Sequence, residues 1–109
     1  MIDIFFEFGN DVVLVNIKGN DVKFGNTMFG AQMADISGMK LNYDGVCKEH
    51  PDLATADNWR ELACERFKEK INGMPDERSI SDYVIHELES QGYVAIKLQR
   101  NGFRPVNLR

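Results

Sequence analysis

Along residues 2–26 apolar and polar positions alternate with a period of two. The same triplet interrupts the alternation twice, as Gly9-Asn10-Asp11 and Gly19-Asn20-Asp21. A period of two marks strands whose successive side chains point to opposite faces. Glycine enters positive φ without steric cost, so a Gly-Asn pair suits a two-residue type II′ hairpin turn. Counting outward from such turns sets the pairing: Phe6 with Val13, Ile4 with Val15, Ile2 with Ile17, then Ile17 with Val22 and Val15 with Phe24. All of these pairs are apolar and share one face, which a slip of one residue would destroy. The predicted element is a three-stranded antiparallel meander. Its reverse face holds Phe5, Val12 and Leu14, ringed by Asp3, Glu7, Asn16 and Lys18.

The period then lengthens. Thr27–Leu41, with Met28, Met33 and Met39, has no pattern that assigns it. A helix is expected from Met39 or Asn42 to His50, ending before Pro51, although Asp44-Gly45 inside it also reads as a turn. A second helix follows Asn58, paired with Glu61 in the manner of a capping box, and presents Trp59, Leu62, Ala63, Phe67 and Ile71 as one stripe. Gly73 and Pro75 close it. Like charges at Glu65–Glu69 and Arg66–Lys70 must be compensated by neighbours outside that helix. A third helix is expected to start at Ser79, with Asp82 completing the cap signal. It buries Ile80, Tyr83, Val84 and Leu88 and ends at Gly92, while His86 points to solvent.

The chain closes on a hairpin. A three-residue loop, Arg100-Asn101-Gly102, pairs Ile96 with Val106 and Val94 with Leu108. Its apolar face is then Val94, Ile96, Leu98, Val106 and Leu108, and its other face Tyr93, Lys97, Gln99 and Phe103. These elements predict an α+β fold. An antiparallel sheet, built from the N-terminal three-stranded meander and the C-terminal hairpin, packs against two to three helices, with residues 1–109 as a single domain.

Composition adds little to that picture. An apolar content of 43% and a charged content of 28% over 109 residues are ordinary for a globular chain. No run is long enough to cross a bilayer, Asp3 and Glu7 stand where an export signal would be basic, and Cys47 and Cys64 make no disulfide framework. A cytoplasmic protein without membrane contact is expected. Charge is more informative: the net value is −4, yet the segment from Tyr93 onward holds Lys97, Arg100, Arg104 and Arg109 and no acid.

Candidate chemistry is sparse. Cys47 and His50, with Cys64 and His86, include zinc-ligand residue types, but their spacing matches no closed module. Cys47 and His50 alone lack the third group that a nucleophile and base require. No phosphate-binding glycine loop is present. Neither catalytic residues nor a cofactor nor a metal is expected. The apolar patch of Phe5, Val12 and Leu14 with its polar rim has the composition of a protein contact, and Met28 and Met33 could form an adaptable part of it or a lid over it. The expected function is that of a small non-enzymatic binding or accessory protein acting through protein contacts, with another protein or a second copy.

A second reading comes from Leu88-Glu89-Ser90-Gln91-Gly92-Tyr93-Val94, which is similar to the helix-to-wing junction of winged helix-turn-helix proteins. The resemblance spans residues 39–109. It implies nucleic-acid binding through the basic hairpin, with Lys97, Arg100, Phe103 and Arg104 as contacts. The chain departs from that family in three ways. The would-be recognition helix exposes Asp82, His86 and Glu89 without Lys or Arg, Gly73–Arg78 is longer than the usual tight turn, and the meander has no place in that fold.

Overall fold

The computed structural model describes residues 1–26, 34–35, 41–100 and 106–107. Its strands are β1 (Ile2–Phe8), β2 (Asp11–Lys18), β3 (Asp21–Asn26), β4 (Ala34–Asp35), β5 (Val94–Arg100) and β6 (Val106–Asn107). Its helices are α1 (Tyr43–Glu49), α2 (Trp59–Asn72) and α3 (Glu77–Ser90), with a 3-10 turn at Pro51–Leu53. The strands form one antiparallel sheet in the order β4-β3-β2-β1-β5-β6. This is the α+β class, with the C-terminal hairpin joined to the meander through β5 and β1.

The meander register is the one that alternation demands. Phe6 faces Val13, Ile4 faces Val15 and Ile2 faces Ile17. Ile17 faces Val22 and Val15 faces Phe24. Gly9 and Gly19 adopt φ of 61° and 59° while the asparagines after them stay at negative φ, as a type II′ turn requires. The inward residues meet Val46, Leu53, Ala63, Phe67, Ile71, Ile80, Val84 and Leu88 from the helical layer in one core. The second turn also docks onto helix ends. Gly19 donates its amide to Glu77 at 2.8 Å, and Asn20 reaches the carbonyls of Ile71 and Asn72 at the end of α2.

Helix boundaries show where local signals compete. Asn42 caps α1 by accepting from the amides of Asp44 and Gly45. Asn58 precedes α2 but makes no side-chain capping bond, so the capping-box expectation fails there. The third helix begins two residues earlier than expected, because Asp76 rather than Ser79 is its cap and accepts from the Ser79 amide. The connection from α2 to α3 is therefore only residues 73–76, and Arg78 belongs to the helix.

The C-terminal strand carries the main correction. Lys97 pairs with Phe5 and Ala95 with Phe6, so Ile96 is an extra residue in a bulge. A bulge inverts the alternation across it. Leu98 keeps the inward side opposite Ile4, but before the bulge it is Tyr93 and Ala95 that go inward and Val94 that is exposed. Tyr93, expected beside Lys97 on the outer face, instead stacks on Phe8 at 4.2 Å between centroids and meets Phe6 and Phe24 edge-on. The hairpin register also differs, because Leu98 rather than Ile96 pairs with Val106.

Candidate functional site

The face turned away from the helices runs through the middle of the sheet. Phe5 and Leu14 are direct cross-strand neighbours, and Glu7 lies between Val12 on one side and Val94 on the other. Phe5, Val12 and Leu14 are half-buried, and Val94 is exposed. Lys97 lays its ammonium 5.3 Å from the centroid of the Phe5 ring, and Asn16 donates to Asp3 at 2.7 Å. Met28 and Met33 lie outside the described residues, as do Phe103 and Arg104. Of the basic candidates, Lys97 sits within an internal strand and Arg100 is exposed at that strand's end. β5 is thus part of the sheet and not the first strand of a free wing.

A second arrangement lies on the helical side, which the sequence reading did not single out. The end of α1, α2 and α3 border an open pocket of about 520 Å³, lined among others by His50, Tyr83 and Glu87. His50 directly follows α1, four residues after the buried Val46. Glu87 lies seven residues after Ile80 and three after Val84, on the apolar stripe of α3. His50 is only 9% exposed and Glu87 only 6%, and their Nε2 and Oε2 atoms stand 3.7 Å apart. That is beyond hydrogen-bond length. Among the described residues neither His50 Nε2 nor the Tyr83 hydroxyl has a hydrogen-bond partner, although both are buried. Burial, reinforced by the Glu87 charge, pushes the Tyr83 hydroxyl above its ordinary value.

The other groups at the pocket are engaged. Arg66 forms a bidentate pair with Asp52 and approaches His50 Nδ1 at 3.4 Å. Its hydrogen bonds hold Asp52 down to about 2 and supply the compensation that the Arg66–Lys70 repulsion demanded. Glu49 accepts from the Ser90 hydroxyl at 2.8 Å and lies 3.4 Å from the exposed His86 ring. Ser90 chiefly holds the Glu49 carboxyl below its ordinary value. The His50 imidazole faces Arg66, Glu87 and Phe67, and the Tyr43 hydroxyl on the first turn of α1 donates to the Ala54 carbonyl. Among the described residues no three of His, Cys, Asp and Glu gather as metal ligands, and no helix is long and apolar enough to cross a membrane.

Glu87 makes a pH-dependent prediction. Burial raises its carboxyl in the folded state above the value in the unfolded chain. Its contribution to stability is therefore complete below the ordinary carboxyl range, near pH 4, and is lost as pH rises through the raised folded value. His50 and His86 oppose this shift and Glu49 adds to it. Glu87→Gln is expected to melt with the wild type at acidic pH and above it at neutral pH. Paired melting curves across that range check the sign, and a gap that widened on acidification would refute it.

No protein-family model, curated protein or solved structure matches this chain.

Proposed function

We propose that this protein is a small non-enzymatic binding protein that acts by contact through the helix-free face of its sheet, and that the chain it meets is a second copy of itself. The observation that carries this reading is the apolar centre of Phe5, Val12 and Leu14, extended by exposed Val94, on the face opposite the helical core. Strict alternation keeps these side chains out of the core that holds Ile4, Val13 and Val15. The rim carries both signs, with Asp3 and Glu7 on β1, Lys18 on β2, Lys23 on β3 and Lys97 on β5. A face of mixed charge can complement itself after a two-fold rotation, which favours an isologous dimer.

Nucleic-acid binding through Lys97, Arg100, Phe103 and Arg104 has less support, since Lys97 is turned onto the Phe5 ring. Leu14→Lys tests the dimer. Light scattering from micromolar to millimolar concentration is expected to show the wild type as a dimer. The variant is expected to bind itself at least about thirtyfold more weakly, the effect of losing a central contact worth about 2 kcal/mol, with its melting curve little changed. A wild type that stays monomeric throughout, with Leu14→Lys lowering its stability, would mean that the chain covers this face itself.

A further inference from the structure

The pocket between α1, α2 and α3 has a floor on which His50 Nε2 and the Glu87 carboxyl stand apart, with the Tyr83 hydroxyl beside Glu87. Arg66 can only donate, so a hydrogen bond from it to His50 Nδ1, 3.4 Å away, requires the tautomer with the ring proton on Nε2. Nε2 is then a donor without an acceptor, and the buried Tyr83 hydroxyl is a second. Glu87 supplies acceptors on the same floor, but 3.7 Å from Nε2, too far to close the bond. Two donors and a carboxylate at this spacing are satisfied together by a ligand that carries a donor and an acceptor on adjacent carbons. In an α-amino acid the amino nitrogen and a carboxyl oxygen are separated by about 2.7–3.6 Å on standard bond lengths, which matches that spacing. Asp52 already occupies Arg66, so the basic group remaining at the pocket mouth is Lys70, beside Glu69. The mouth therefore tolerates a ligand of either sign, while the floor asks for both.

We propose that this pocket binds an α-amino head group, a primary ammonium one carbon removed from a carbonyl or carboxylate oxygen. The ammonium docks on Glu87, and the oxygen accepts from His50 Nε2 and the Tyr83 hydroxyl. The source is a free amino acid or the N-terminus of a peptide, which share this chemistry. This site lies on the helical side and is independent of the proposed dimer face.

Amide-resolved NMR titration of the whole protein at neutral pH tests the assignment with four probes: alanine, alaninamide, N-acetylalanine and ethylamine. Alanine or alaninamide is expected to give saturable shifts at millimolar concentration centred on His50, Tyr83 and Glu87. The tighter of the two identifies the source, free amino acid or peptide end. N-acetylalanine lacks the ammonium and ethylamine the acceptor, so each is expected to bind at least about tenfold more weakly. Glu87→Gln and Tyr83→Phe, which keep the side-chain volume, are expected to weaken the better probe about tenfold while the melting transition persists. Three results would overturn the proposal: no saturable shift with either amino probe, ethylamine or N-acetylalanine binding equally well, or full affinity retained in both variants.

Discussion

Val15→Asp is expected to abolish the cooperative melting transition. Val15 is 1% exposed at the centre of β2, with Ile4 across from it on β1 and Phe24 on β3. Both cross-strand partners of Val15 are apolar, so neither offers a charge to pair with a carboxylate there. An uncompensated buried carboxylate costs about 3–5 kcal/mol, and the valine methyls are lost in addition. Against a total stability of about 5–15 kcal/mol, this removes most or all of the margin. Circular dichroism with heating checks it. A transition within a few degrees of the wild type would show that β2 does not bury this side chain.

Gly45→Ala is the second large effect, and its direction is informative. In an isolated helix the change would be favourable by about 1 kcal/mol, since alanine has the higher helix propensity. In the protein a Cβ at Gly45 would lie 2.5 Å from the Ser90 carbonyl oxygen and 2.8 Å from the Gln91 Cα. Both are backbone atoms at the end of α3 and cannot rotate away. The substitution must push α1 off α3 and disturb the contact in which Gln91 accepts from the Asn42 amide. A net destabilisation of about 1–3 kcal/mol is expected. The midpoint of urea denaturation measures it, and a stabilised variant would mean that α1 and α3 are not in backbone contact.

These substitutions probe information of two kinds. The residues around Val15 announce their pairing because each partner lies within a few residues of a tight turn, and only one register keeps the apolar side chains together. Gly45 offers no such announcement. Asp44-Gly45 reads locally as a turn, and it is the proximity of residues 90 and 91 that makes a glycine fit inside a helix. The pocket follows the same logic. A glutamate on the stripe of Ile80, Val84 and Leu88 is a visible anomaly in the sequence, and so is a histidine following the helix that buries Val46. Neither reveals that the two side chains meet, since they lie on different elements joined through α2.

The sequence by itself determined the meander, its type II′ turns and its register, the second and third helices, and the reverse-face grouping of Phe5, Val12 and Leu14. Those features rest on alternation, periodicity and turn chemistry, which act over a few residues and involve little loop-closure entropy. Only the tertiary structure decided that β5 inserts beside β1, that a bulge at Ile96 turns Tyr93 inward against Phe6, Phe8 and Phe24, and that His50, Tyr83 and Glu87 share one pocket. The physical reason is range. Docking choices between distant segments are settled by which packing buries the most apolar surface, and a single bulge selected in that competition reverses the face of every residue before it.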